Sequence, residues 1–115
     1  MSLVSTDWLE KNINQVKVID CSWHMPAEKR NAEEEFKNAH IPNARFFDID
    51  KISDENSKIP HMIPSKNKFS SMVSDLGIKN EDTVVLYDNS VFFSSARAWW
   101  MFKIFGHEKI RIIDG

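Results

Sequence analysis

The chain has 115 residues, of which 42% are hydrophobic and 28% charged, with a formal net charge of −2 at pH 7. This composition is globular, and the length allows one domain with a hydrophobic core but not two. Basic and acidic residues are interspersed, which argues against a nucleic-acid-binding face. No apolar run approaches the ~20 residues of a membrane span, and residues 1–9 show no signal-peptide pattern, so we expect a cytoplasmic protein.

The predicted elements of the first half alternate between helix and strand. Ser5 is a candidate N-cap for a short helix, and the β-branched run at 16–19 predicts the first strand. Asn31 is the candidate N-cap of a second helix at 32–38, where three glutamates favour the positive end of the helix dipole. A short apolar run at 45–47 predicts the second strand.

The second half contains the clearest helix pattern. Ser65 caps an amphipathic helix that ends at Gly77, with apolar residues between them at the i, i+3, i+4, i+7 spacing. The continuous apolar run at 83–87 predicts a strand buried on both faces. The helix at 94–105 is apolar on nearly all sides, which favours a central position, and 110–113 predicts the last strand.

This alternation predicts an α/β fold with a parallel sheet flanked by helices. Ligands of such sheets lie outside the carboxyl ends of the strands, here near 20–24, 48–50 and 88–90. Trp99 and Trp100, on the last helix, are expected to belong to the core.

The segment from about 50 to 65 is rich in turn-forming residues and predicts an irregular excursion, a kind of segment that is often functional. It contains Asp50 and His61, and an imidazole with a carboxylate partner is the usual material of a proton relay. Sequence separation does not show contact, so two solvated loop residues are the alternative interpretation.

Cys21 is the single cysteine, which excludes an intramolecular disulfide and a cysteine-built zinc site. It lies just after the end of a predicted strand, where a substrate could reach a nucleophilic thiolate. We favour a small buried core residue, because neighbouring negative charge such as Asp20 raises a thiol pKa. His24, His40 and His107 lie singly without metal-ligand spacing, so no metal site is predicted.

Several stretches, taken together and in order, resemble the N-terminal half of two-domain sulfurtransferases of the rhodanese family, and those acting on mercaptopyruvate more closely than those acting on thiosulfate. The stretches are LVSTDWL at 3–9, IDCSW at 19–23, HIPNA at 40–44, FFDID at 46–50, HMIP at 61–64, ARAWWMF at 96–102 and FGH at 105–107. The combination is specific, although each motif alone is weak.

The resemblance implies a rhodanese fold and a reaction in which a cysteine takes sulfur as a persulfide and passes it to a thiol or cyanide. In this family that cysteine lies in the second domain, and Asp88 stands at the equivalent place here. Residues 1–115 are therefore expected to be the N-terminal, non-nucleophilic domain, and the ending after the strand at 110–113 suggests that it is incomplete at its C-terminus. The implied partners are a small sulfur donor, a thiol acceptor and the catalytic domain, without a cofactor.

The resemblance also assigns individual residues. Asp50 and His61 match the family positions proposed to form a relay with a serine of the second domain. Arg97 matches an arginine to which we assign a structural role, holding the loop at the start of the last helix. Ala39 and Asn43 stand where glycines are usual, and Asn43 is expected to keep the turn because asparagine tolerates a positive φ.

Two other functions are considered. A stand-alone, inactive rhodanese-like binding module would lack a downstream cysteine followed by glycine and serine, whereas the enzyme would have one. A cysteine-dependent phosphatase on the same fold is not expected, because the chain has no Cys-x5-Arg loop. We also expect the helix at 94–105 to pack on a sheet that the truncation leaves partly uncovered, exposing an apolar patch that promotes association.

Overall fold

A computed structural model describes residues 3–24, 26–53, 63–89 and 94–113 of the chain, and these ranges contain five strands and four α-helices. In chain order the elements are β1 (Leu3–Val4), α1 (Thr6–Asn12), β2 (Lys17–Asp20), a 3-10 turn (Pro26–Glu28), α2 (Ala32–Asn38), β3 (Arg45–Phe46), α3 (Lys66–Asp75), β4 (Val84–Tyr87), α4 (Ser94–Ile104) and β5 (Ile110–Ile113). No helix within these ranges is long and apolar enough to cross a membrane.

The strands form one parallel sheet in the order β1-β5-β4-β2-β3. At the centre of the sheet, Leu86 of β4 pairs with Ile19 of β2 on one side and with Ile112 of β5 on the other. The predicted α/β class with a parallel sheet is therefore confirmed. Strand β1 was not predicted, because two residues are too few to show an alternating pattern.

Both faces of the sheet are covered. Successive β4 side chains alternate between faces, so Val84 and Leu86 join the larger core cluster with residues of α3 and α4. Val85 joins a smaller cluster with residues of α1 and α2. All three side chains have 0% exposure, which confirms a strand buried on both faces.

Helix α3 has the caps that the sequence predicts. The Ser65 hydroxyl accepts a hydrogen bond from the Lys68 N–H at 3.1 Å. At the other end Gly77 adopts a φ of +83° and donates its N–H to the Ser74 carbonyl at 2.9 Å. These bonds satisfy backbone groups that have no partner inside the helix.

Helix α4 is less central than predicted. Met101 and Phe102 are buried against the sheet, whereas Trp100 is 43% and Ile104 46% exposed. The expectation that Trp99 and Trp100 are core residues is wrong for Trp100 and only partly met by Trp99, which is half-buried. A helix lying on a sheet buries one face, so an apolar composition on all sides does not bury every side.

The turn between α2 and β3 contains a left-handed residue without a glycine. Asn43 has a φ of +68°, as expected for an asparagine in this place. Ala39 has a φ of −157°, an extended conformation that any residue adopts. Neither residue is therefore strained in this turn.

Candidate functional site

A pocket of about 230 Å³ lies at the carboxyl ends of β2 and β3, and we refer to it as the carboxyl-edge pocket. Its lining includes residues after β2, residues before and within α2, the last residue of β3 and residues after β3: Ser22, Trp23, His24, Arg30, Asn31, Ala32, Glu33, Phe46, Asp48, Ile49 and Asp50. Two of the segments predicted from the sequence, 20–24 and 48–50, thus meet in one place.

The third predicted segment is tied to the first by hydrogen bonds. The Asn89 N–H, beyond the end of β4, donates to the Ser22 hydroxyl at 2.9 Å. The Ser22 N–H in turn donates to the buried Asp20 carboxylate at 2.9 Å. These bonds connect the loops after β2 and β4 and hold one wall of the pocket in place.

Asp50 projects from a turn that is itself hydrogen-bonded. The Asp48 carboxylate accepts from the backbone N–H groups of Asp50 at 3.0 Å and Lys51 at 3.3 Å. The Ser53 hydroxyl donates to the Asp50 carbonyl at 2.8 Å. The Asp50 side chain is exposed, and its Oδ1 accepts a hydrogen bond from the Trp23 indole at 3.1 Å.

His61 lies outside the described residues. So does most of the predicted excursion, because positions 54–62 are not among them. The pairing of His61 with Asp50 therefore stays a prediction. On the described side, the Lys68 ammonium of α3 donates to the Ser53 carbonyl at 2.6 Å. This bond ties the first turn of α3 to the turn that carries Asp50.

Cys21 is fully buried, and its thiol lies 3.3 Å from the Tyr87 carbonyl, to which it donates. Burial raises the pKa of this thiol well above its ordinary value, and the negative charges of Asp88 and Asp20 raise it further. The expectation of a small buried residue is confirmed. A thiol held neutral and out of solvent is a poor nucleophile.

Asp88, which the motif resemblance was expected to place at the equivalent of the nucleophile's position, has a structural contact. Its carboxylate accepts a hydrogen bond from the Ser95 N–H at 2.9 Å, in the first turn of α4. A negative charge is favourable at the start of a helix, where backbone N–H groups have no partner inside it. Nearby, the Ser94 hydroxyl donates to the Cys21 carbonyl at 2.6 Å.

A group of ionisable side chains at the pocket was not predicted from the sequence. His24 is buried, with its Nε2 3.6 Å from Glu35 and its Nδ1 4.0 Å from Glu28. Glu35 also accepts two hydrogen bonds from Arg30, at 2.7 and 3.1 Å, and this pairing lowers the pKa of the carboxyl. The only sequence feature that could have indicated part of this group is the separation of His24 and Glu28 by four positions.

No group of three potential metal-ligating side chains in the described ranges has the arrangement of a metal site. Arg97 lies over the ring of Trp100, with its Cζ 5.2 Å from the ring centroid, and burial lowers its pKa. The loop that Arg97 was expected to hold includes positions 90–93, which lie outside the described residues. That role stays a prediction.

The model of the rhodanese-like domain family matches residues 5–115. The chain belongs to the rhodanese-like domain family. The resemblance found in the sequence motifs is thereby confirmed at the level of the domain.

Curated relatives of this rhodanese-like domain are sulfurtransferases. It is 50% identical to thiosulfate/3-mercaptopyruvate sulfurtransferase 1, mitochondrial, of Arabidopsis thaliana over 98% of this chain. It is 40% identical to the 3-mercaptopyruvate sulfurtransferase of Escherichia coli strain K12 over 97% of this chain. The chain spans 30% of the first relative and 41% of the second, so both are much longer.

Solved structures show the same fold. The crystal structure of SseA from Escherichia coli, a 3-mercaptopyruvate sulfotransferase, superposes with a TM-score of 0.91 at 38% identity, covering 98% of this chain and 45% of that one. Tum1 from Saccharomyces cerevisiae superposes with a TM-score of 0.89 at 34% identity, covering 98% and 39%. The rhodanese fold implied by the motifs is confirmed.

Proposed function

We propose that this chain is the N-terminal, non-nucleophilic rhodanese domain of a sulfurtransferase that moves sulfur from mercaptopyruvate, or thiosulfate, to a thiol or cyanide. The observation that carries the proposal is the 50% identity to a thiosulfate/3-mercaptopyruvate sulfurtransferase across 98% of this chain. The partners in this proposal are the sulfur donor, the acceptor and a second domain, and no cofactor is required.

The nucleophile is assigned to a cysteine of the second domain. Cys21 is fully buried and its pKa is raised, so it cannot readily present a thiolate to a substrate. Asp88 carries no sulfur, and its negative charge would repel an anionic donor. Both observations support a non-nucleophilic role for this domain.

In the proposed reaction, the second-domain thiolate attacks the sulfur of mercaptopyruvate and forms a persulfide. The carbon–sulfur bond breaks, and its electron pair leaves on carbon as the enolate of pyruvate, which takes up a proton. An acceptor thiol or cyanide then removes the outer sulfur and restores the thiolate. With thiosulfate the leaving group is sulfite, a stable anion that needs no proton.

Asp50 and His61 are assigned to the proton that the enolate requires. In this assignment Asp50 orients the imidazole of His61, which supplies a proton through a serine of the second domain. The exposure of Asp50 at the carboxyl edge of the sheet supports this role, because a partner domain can reach that edge. Such a relay benefits mercaptopyruvate turnover and not thiosulfate turnover.

The relay predicts a donor-selective defect in the two-domain protein. His61→Ala is expected to lower mercaptopyruvate turnover by about 10²–10⁴, the usual contribution of general acid catalysis. Thiosulfate turnover should barely change, and Asp50→Asn should show the same selectivity with a smaller loss. Steady-state kinetics with both donors measure this, with His40→Ala and Asp75→Asn as matched controls. Equal losses on both donors would indicate a folding or docking role instead.

A second prediction is that the 115-residue chain transfers no sulfur by itself, because its only cysteine is buried with a raised pKa. The purified chain is incubated with mercaptopyruvate and cyanide, and thiocyanate is measured against a blank. Thiocyanate that forms with the wild-type chain and disappears in Cys21→Ser would contradict the assignment of the nucleophile to another domain.

The alternative function is an inactive binding module with the same fold. The coding sequence following Gly115 separates the two: a cysteine followed by glycine and serine on a strand-to-helix loop supports the enzyme, and the absence of such a cysteine supports the module. We place the protein in the cytoplasm because a single cysteine fits a reducing compartment. Cell fractionation tests this location against an organelle.

A further inference from the structure

Another pocket, of about 280 Å³, lies where β2 and β3 begin, at the edge of the sheet opposite the carboxyl-edge pocket, and we refer to it as the amino-edge pocket. Its lining comes from the turn after α1, the start of β2, the turn before β3, the start of β3 and the end of α3: Ile13, Asn14, Val16, Lys17, Val18, Asn43, Arg45, Leu76 and Gly77. The charged residues in this lining are Lys17 and Arg45, and both are exposed. The described lining therefore carries positive charge without a carboxylate.

The register of the sheet places these two cations side by side. Ile19 of β2 pairs with Arg45 of β3, and Lys17 precedes Ile19 by two residues. Because alternate residues of a strand share a face, Lys17 and Arg45 project from the same face of the sheet. Their Cα atoms are about 6.6 Å apart along the strands and about 4.8 Å across them, so both long side chains can reach one ligand.

Neither cation has a counter-ion among the described residues. Arg30, by comparison, forms two hydrogen bonds with Glu35. In the described ranges, the structure shows no ion pair and no side-chain hydrogen bond for Lys17 or Arg45. Two like charges on one face of neighbouring strands repel each other, and an anion bound between them would remove this repulsion.

The end of α3 offers a different explanation for the two cations, because the C-terminus of a helix attracts positive charge. The last turn of α3 contains no basic residue of its own. Two of its final carbonyls are, however, already hydrogen-bonded: Ser74 accepts from the Gly77 N–H at 2.9 Å, and Val73 accepts from the Leu76 N–H at 3.1 Å. These carbonyls are satisfied without either cation, and both cations keep their donors for a ligand.

We propose that the amino-edge pocket binds a small organic phosphate, a phosphate monoester that carries a short apolar group. Such a monoester has about −1.5 to −2 charges at pH 7, which matches two cations, and the guanidinium of Arg45 can bind two of its oxygens at once. Ile13, Val16 and Leu76 are half-buried lining residues that would contact the apolar group. The pocket is just smaller than the about 300–1,000 Å³ of drug-sized sites, so the ligand is small. This binding does not depend on the proposed sulfur transfer.

Binding is tested in the 115-residue chain by titration with phenyl phosphate, followed in proton–nitrogen correlation spectra. The backbone N–H signals of Lys17, Asn43, Arg45 and Gly77 should shift until they saturate, because these residues line the pocket. The affinity should fall when the salt concentration is raised from about 0.01 M to about 0.15 M, since the screening length falls from about 30 Å to about 8 Å. Benzyl alcohol, which lacks the charge, and inorganic phosphate, which lacks the ring, should each bind more weakly.

Removal of single charges tests the two cations. Lys17→Gln and Arg45→Gln should each raise the Kd for phenyl phosphate about tenfold, the effect of losing one hydrogen bond to a charged group. Lys17→Arg keeps the charge and should bind as the wild type does. Lys66→Gln, the matched control, removes one exposed charge at the other end of α3 and should leave the Kd unchanged. All three positions are exposed, so the variants should unfold at the wild-type temperature.

Each of the other outcomes would overturn the inference. Signals of the lining that do not move with phenyl phosphate would show that the pocket binds no such anion. Equal affinity in Lys17→Gln, Arg45→Gln and the wild type would show that the cations do not recognise the phosphate. Equal binding of benzyl alcohol or of inorganic phosphate would contradict recognition of a ligand with both parts. Charge-removal variants that bind normally but unfold at a lower temperature would assign the cations to the end of α3.

Discussion

At the residue scale, two ionisable side chains at the ends of β2 and β4 are kept in their neutral forms. Burial raises the pKa of Tyr87 to about 12 and places that of the Cys21 thiol well above its ordinary value. The negative charge of Asp20 also raises the pKa of both groups. The Tyr87 hydroxyl also accepts a hydrogen bond from the Ile41 N–H at 3.3 Å, which fixes it beside the turn before β3.

Tyr87 is the single tyrosine, so its titration can be observed directly by ultraviolet absorbance of the phenolate. We expect a midpoint near 12 in the folded chain and one near the ordinary value of 10.0 in denaturant. Because the unfolded chain releases this proton first, the stabilisation is complete below pH 10.0 and is lost as pH rises through about 12.

The same argument predicts a mutational effect on alkaline stability. In Tyr87→Phe the free energy of unfolding should fall less steeply above pH 10.0 than in the wild type, as measured by denaturant unfolding at several pH values. A folded-state midpoint equal to that in denaturant, or an identical alkaline slope in Tyr87→Phe, would contradict this environment for Tyr87.

At the element scale, the helices differ in how far neighbouring residues along the chain determine their limits and orientation. The hydrogen bonds that begin and end α3 involve Ser65 and Gly77, which lie within two residues of its ends, so local sequence is enough to predict its limits. The orientation of α4 depends on the position of the sheet, so its exposed Trp100 was not predicted. Strand β1 pairs with β5 from the other end of the chain, a partnership that no local pattern indicates.

The N-cap of α3 makes a prediction at this scale. Ser65→Ala removes the hydroxyl that accepts from the Lys68 N–H, and the free energy of unfolding should fall by about 1 kcal/mol. Ser71→Ala makes the same substitution at an exposed position inside α3, where alanine is a better helix former, and should not lower stability. Chemical denaturation of both variants gives the comparison, and equal effects would argue against the cap.

At the scale of the whole molecule, α4 exposes two large apolar side chains. Trp100 and Ile104 are four residues apart, so they project from the same side of the helix, and each is more than two-fifths exposed. Neighbouring exposed apolar side chains of this size favour contact between molecules. The Arg97 guanidinium lies over only one face of the Trp100 ring.

This surface predicts concentration-dependent self-association of the 115-residue chain. Trp100→Lys should reduce the association, because it replaces an exposed aromatic ring with a charge. Ser71→Lys adds the same charge at an exposed position of α3 and should leave the association unchanged. Sedimentation velocity over a range of concentrations measures both. A wild-type chain that stays monomeric throughout would show that the exposed side of α4 is not an association surface.

The sequence by itself determined the local structure and the fold class. Capping residues and apolar periodicity act over a few neighbouring positions, so α3, the alternation of strands and helices and the burial of β4 follow from the printed residues. The motifs also identified the family, because their order along the chain is specific. Asn43 could be predicted to hold a left-handed turn, since that tolerance belongs to the residue itself.

Only the tertiary structure decided which side chains meet. The Trp23–Asp50 hydrogen bond spans 27 residues, and the approach of His24 to Glu35 joins the loop after β2 to α2. Such contacts depend on the order and register of the strands, which local patterns do not encode. The raised pKa of Cys21 is likewise a tertiary property, because burial beneath packed elements is its largest cause.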